Sequence, residues 1–227
     1  FPKRKTFRCF VESRSKTQTI KRVLEPVSCM IFRAKSKFPI SSWSNRLFGE
    51  PVFIIGNGPS LLENDLSKIT EYFTIGINRA YKVLLPKILM WQDESLYKDC
   101  YDDIRILPCA KITRATIDSE DVFTHFELKH GPFVFGSNPS VLHGGGSTAA
   151  LAVQLGVSLG CSSLILLGCD CGYKNNMTDF YGLNKEHTSS TVPNFLAAME
   201  WVSRECPIQV LNCGDAPYWP RVSLEEA

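Results

Sequence analysis

From residue 52 onward, short apolar runs recur without polar alternation, and segments of helical spacing separate many of them. Strands are predicted at 52–56, 73–77, 87–91, 105–109, 163–168 and 208–212, and helices at 60–71, 94–102, 146–160 and 191–205. Strands this short and apolar on both faces, separated by helices, predict a parallel sheet covered on both sides. The expected fold class is therefore α/β, a Rossmann-like and mostly parallel sheet with helices on both faces. Residues 1–50 do not share the alternation and read as an N-terminal extension to a domain at 51–227. A helix is expected around 17–24 within that extension.

The first strand, Val52-Phe53-Ile54-Ile55, stops at Gly56-Asn57-Gly58-Pro59-Ser60. Leu61, Leu62, Leu66 and Ile69 then fall on roughly one helical face, so the junction reads as strand, tight turn and helix start. Such a junction can bind phosphate, because glycines allow close approach and helix-start N–H groups favour an anion. It can equally be a plain turn, with Asn57 filling a left-handed position. It is neither a P-loop nor a full dinucleotide fingerprint, since no Gly-Lys-Ser/Thr follows and Pro59-Ser60 breaks the glycine spacing. A second junction, His143-Gly144-Gly145-Gly146-Ser147-Thr148, precedes an Ala/Leu/Val-rich helix that Ser147 or Thr148 can cap.

In open α/β sheets ligands collect beyond the C-terminal ends of the strands. Asn57, Asn78, Gln92, Asp93 and Asp170 follow successive predicted strands, so their side chains are expected on one rim. After Gly168-Cys169-Asp170-Cys171-Gly172-Tyr173, a polar loop runs through Tyr181 and His187 to the helix at 191. Loops of that length in a compact domain are usually functional or mobile. His125 and His130 lie in a less patterned middle region and read as surface or insertion residues.

Charge adds a second feature. Residues 1–50 hold 12 Lys/Arg against 3 Asp/Glu, while residues 51–227 hold 13 against 20. A basic arm on an acidic body can contact nucleic acid, anionic lipid or an acidic acceptor, or be a solubilising tail or a packed extension, since Phe7, Phe10, Ile31, Phe32, Phe38 and Trp43 interleave with its charges. The nine cysteines are scattered, several in apolar runs, and Cys169-Asp170-Cys171 has no second pair at zinc spacing. No apolar run reaches the roughly 18 residues of a membrane span, and no apolar stretch follows the basic N-terminal residues. A reducing, cytoplasmic location is expected.

Taken in order, Gly56-Asn57-Gly58-Pro59-Ser60-Leu61, Gly76-Ile77-Asn78-Arg79-Ala80-Tyr81, Gly145-Gly146-Ser147-Thr148-Ala149 and Leu167-Gly168-Cys169-Asp170 resemble one superfamily. It contains the bacterial CMP-sialic-acid-dependent sialyltransferases, the related motility accessory factor proteins of flagellin glycosylation, and the archaeal 6-hydroxymethyl-dihydropterin pyrophosphokinase. The resemblance spans residue 52 to about 213 and leaves out residues 1–50. It implies that Asn57, Asn78 and Ser147 contact a nucleotide donor; Gly58, Ser60, Gln92, Asp93, Gly145, Gly146 and Thr148, on the same turns and strand ends, are expected to complete the substrate-binding set. It further implies that Tyr173 and Tyr181 steady the leaving phosphate, and that His187, beside Asp170, is the catalytic general base.

The chain departs from the sialyltransferase branch before Ser147, where that branch carries an Arg and this sequence has His143-Gly144-Gly145-Gly146. The expected function is a nucleotide-dependent glycosyltransferase that moves a sugar from a CMP- or UDP-linked donor to a hydroxyl acceptor. This reaction needs no metal. One alternative is a Mg²⁺-dependent pyrophosphokinase-like transferase with Asp93 and Asp170 as ligands. Another is a nucleic-acid-binding or nucleic-acid-modifying protein that uses residues 1–50. A homo-oligomer is compatible with any of these.

Overall fold

The computed structural model describes residues 40–114, 124–183 and 190–227. Eight strands form one sheet: β1 (Pro51–Ile55), β2 (Phe73–Ile77), β3 (Ile88–Met90), β4 (Ala110–Arg114), β5 (Thr124–Lys129), β6 (Val141–His143), β7 (Ser163–Leu167) and β8 (Gln209–Asn212). Their order is β6-β5-β4-β3-β2-β1-β7-β8, and every named pair is parallel. The chain runs outward from β1 to β6 and then returns to the other side of β1 with β7. The junction of β1 and β7 is therefore the topological switch point, where a crevice opens beyond the strand ends.

Helices α1 (Glu94–Ile106), α2 (Thr148–Ser158) and α3 (Val192–Glu205) cover the sheet. Alternation along β1 sends Val52 and Ile54 into a core shared with α2 and α3, while Phe53 and Ile55 pack on the opposite face with Leu61, Ile69 and Leu167. α2 is buried on nearly every side from Thr148 to Leu155, as an apolar helix wedged between sheet and neighbours must be. α1 instead buries one stripe, Leu96, Tyr97, Cys100 and Ile104, against Leu89 and Trp91.

Three expectations are corrected. The segment 60–71 is two 3₁₀ turns, Pro59–Glu63 and Leu66–Ile69, rather than one helix. Asp65 breaks it by accepting the Ser67 N–H at 3.1 Å, and Leu62 of the supposed apolar face is 59% exposed. The strand expected at 105–109 lies at 110–114, because Ile104 completes the buried stripe of α1 and Pro108 follows its end. The middle region is not an insertion: β5 and β6 extend the sheet, with His125 within β5.

Residues 40–50, assigned in sequence to the extension, are joined to the domain. Ile40, Trp43 and Leu47 are buried in the main core, and the Leu47 N–H donates to the Leu159 carbonyl at 2.8 Å. The helix expected at 17–24 and the rest of the basic arm, residues 1–39, lie outside the described residues.

Candidate active site

The turn after β1 is built around a carboxylate from the far side of the switch point. The Gly56 N–H donates to the Leu167 carbonyl and the Gly58 N–H to the Gly168 carbonyl, both at 2.7 Å. This brings the Asp170 carboxylate to Ser60, whose backbone N–H donates to Oδ2 at 2.8 Å and whose hydroxyl donates to Oδ1. The Asp215 N–H reaches the same Oδ1 at 3.3 Å. A Cβ on Gly58 would sit 2.5 Å from Asp170 Oδ2, so only glycine leaves room.

Free N–H groups at this turn were expected to attract a ligand anion. The Ser60 N–H holds the Asp170 carboxylate instead. Ser60 is fully buried on Asp170 and does not line the cavity described below. Asp170 reaches the cavity wall with both oxygens already accepting from protein donors.

A cavity of about 820 Å³ opens beyond the strand ends. Asn57 and Gly58 reach it from β1, Asn78 from β2, Gln92 and Asp93 from β3, and Asp170 from β7. Gly146, Ser147 and Thr148 meet them from the start of α2, and Tyr181 from the long loop. The rim expected from the strand order is thus assembled. Gly145 and Tyr173 do not line the cavity, so Tyr181 stands there without the second tyrosine expected beside it. His187 lies outside the described residues, although Leu183 and Thr191, which bracket it in sequence, both line the cavity.

Each wall is locally fixed. Ser147 caps α2 by accepting the Ala150 N–H, and Gln92, 8% exposed, donates to the Thr148 hydroxyl at 3.0 Å, tying β3 to α2. Gln154 brackets His143, accepting from its N–H and donating to its carbonyl at 2.8 Å each, so this histidine serves the approach to the glycine turn. The Phe180 N–H donates to the Asn57 carbonyl at 2.6 Å, which draws the long loop over the first turn. Asn57 is not left-handed; Asn78 is, at φ 52°.

Two atoms stand out on these walls. Asn57 Oδ1 and Asn78 Oδ1 are both buried and accept no hydrogen bond from the described residues. A buried polar atom without a partner costs free energy, and such atoms concentrate where a ligand completes the set. Sequence reading missed Arg79, Lys82, Asp179 and Asn194, which also line the cavity. Asp179 is 2% exposed, and burial with the charge of Asp179 pushes the Tyr181 hydroxyl above its usual range despite the opposing Arg79.

No protein-family model and no curated protein sequence matches the chain. Among solved structures it is similar to a MAf glycosyltransferase from Magnetospirillum magneticum AMB-1, with 17% identity over 86% of this chain and a TM-score of 0.57. The two share a fold. The chain spans 36% of that protein's length. It is also matched to the sialyltransferase CstII from Campylobacter jejuni in complex with cytidine-5'-monophosphate, at 16% identity, covering 73% of this chain and 80% of that one, with a TM-score of 0.44.

The residues named for the Mg²⁺ alternative, Asp93 and Asp170, both line the cavity. The oxygens of Asp170 are taken, Asp93 is exposed, and the described residues gather no group of three or more His, Cys, Asp or Glu able to hold a metal. Among the described residues, no helix is long and apolar enough to cross a membrane.

Proposed function

We propose that the protein is a nucleotide-sugar-dependent glycosyltransferase whose donor occupies the cavity at the β1/β7 switch point. The observation that carries this reading is that Asn57 and Asn78, whose buried amide oxygens have no hydrogen-bond partner among the described residues, line the same cavity as the N-terminus of α2. Amide oxygens accept from the amino or hydroxyl groups of a nucleoside, and the helix start favours its phosphate. The fold shared with the MAf glycosyltransferase supports the same class.

In this reading an acceptor hydroxyl attacks the anomeric carbon of the donor sugar and gives its proton to the His187 imidazole, a base suited to neutral pH. The bond from that carbon to the phosphate oxygen breaks, and its electron pair leaves with the nucleotide. Tyr181 and the N–H groups at the start of α2 donate to the growing charge. Those donors act without a metal, so transfer is expected to survive a chelator.

The test is a thermal-unfolding screen against CMP-, UDP- and GDP-sugars and nucleoside triphosphates, with and without Mg²⁺. A donor at 100 times its Kd stabilises the fold by about 2.7 kcal/mol, which raises the midpoint measurably. No shift with any nucleotide overturns the reading. Stabilisation by triphosphates only, and only with Mg²⁺, returns it to the pyrophosphokinase class.

A further inference from the structure

Resting on the transferase reading, we propose that Arg79 is the residue by which this site selects a phosphorylated ligand, and that it positions the Tyr181 hydroxyl on that phosphate. The sequence supplies no cation in the Gly144-Gly145-Gly146 approach to α2. One comes instead from the opposite wall, where Arg79 directly follows Asn78 at the end of β2 and lines the cavity.

Its guanidinium is held from several sides. Nη1 donates to the Tyr181 hydroxyl at 3.4 Å, Nη2 pairs with Asp99 at 3.3 Å, and the guanidinium carbon lies 5.3 Å from the centroid of the Tyr181 ring. The side chain is 21% exposed, whereas Lys82, the other Lys or Arg on the cavity among the described residues, is an exposed residue. A guanidinium has five N–H donors in a rigid fork, and these two bonds leave donors to spare for an oxyanion. The Tyr181 oxygen accepts from Arg79 while its O–H is engaged by the Asp179 carboxylate, so the proton reaches the same anion by turning from Asp179. As the bond from anomeric carbon to phosphate oxygen breaks and the electron pair passes to the phosphate, both groups hold the charge that forms.

Titration calorimetry with CMP and UDP, set against cytidine and uridine, tests this on the wild-type chain and on R79Q and R79K. R79Q is expected to weaken both nucleotides by about tenfold or more, the scale of a lost charge-assisted hydrogen bond, and to leave the nucleosides unchanged. R79K should recover part of the loss, since it restores charge without the fork. Matching thermal midpoints confirm that the variants fold, and R79K carries the comparison where R79Q does not.

Nucleotide affinity that is unchanged in R79Q, or that falls in step with nucleoside affinity, overturns the role of Arg79 while the transferase reading stands. A wild-type chain that binds neither nucleotide nor nucleoside overturns both.

Discussion

The Asp170 carboxylate accepts the Ser60 N–H at 2.8 Å across the switch point of the sheet, so the loop after β7 is the keystone of the turn after β1. With the Asp215 N–H on the same side chain, three segments distant in sequence meet on one anion. Asp170→Asn places an NH₂ group against donors on one side, leaving buried groups unpaired. The expected cost is about 1–3 kcal/mol in urea unfolding. Gly58→Ala should cost at least as much, because its Cβ displaces the same carboxylate. Unchanged stability in both variants would remove Asp170 from this role.

The two cavity asparagines should respond differently to truncation. Asn57 has ordinary backbone angles and an unpartnered buried oxygen, so Asn57→Ala is expected to leave stability within about 1 kcal/mol of wild type, or to raise it. Asn78 sits at φ 52°, where a Cβ without a local polar partner is strained by about 1–2 kcal/mol, so Asn78→Ala should destabilise and Asn78→Gly should not. All three should weaken nucleotide binding by calorimetry. A large loss of stability in Asn57→Ala would mean that its side chain serves the fold.

Trp43 is 1% exposed in the core shared with α2 and α3, although it lies in the stretch that charge alone assigns to an arm. Trp43→Ala is expected to cost about 3–5 kcal/mol by chemical denaturation. A test of nucleic-acid binding through the basic arm must therefore neutralise Lys and Arg among residues 1–39. Deleting residues 1–50 would remove part of the core. A loss below about 1 kcal/mol in Trp43→Ala would return this segment to the arm.

Much of this architecture was legible in the chain, and the failures share a cause. Non-alternating apolar runs placed β1, β2, β3, β7 and β8 within a residue or two, and all but the edge strand β8 are largely buried on both faces. The same argument placed Asn57, Asn78, Gln92 and Asp93 on one rim. What failed depended on contacts between distant segments. Nothing local to Ser60 reveals that Asp170 will occupy its N–H, and β6 at the sheet edge and β5 beside it have weak patterning of their own. Arg79 looks like any exposed cation until Tyr181 and Asp99 close on it. Its one sequence signal was its position, directly after Asn78 at a strand end.

Buried thiols set an alkaline limit. Burial, with Cys206 nearby, pushes the Cys161 thiol up to about 12, and burial also raises Cys169 well above the usual range. An unfolded thiol ionises near ~8.5, so these groups contribute stability that is fully present below that pH. It is lost as the pH rises from there toward about 12, by about 1.4 kcal/mol per pH unit for each such thiol. Unfolding under reducing conditions should show a falling stability above about pH 8.5, and Cys161→Ala should make the fall shallower. A variant that follows the wild-type slope would exclude this thiol from the linkage.

His187 remains the group proposed to take the acceptor proton. It is four residues from both Leu183 and Thr191 in sequence, and these two line the cavity. His187→Ala is expected to lower kcat by about 10²–10⁴-fold, the range general-base catalysis supplies, while the calorimetric Kd for the free nucleotide stays within about twofold. The acidic limb of the wild-type rate profile, which reports ionisation of the base, should vanish in the variant. Transfer that survives the substitution at the wild-type rate would mean that another group accepts the proton. Loss of nucleotide affinity together with rate would mean that His187 binds the donor.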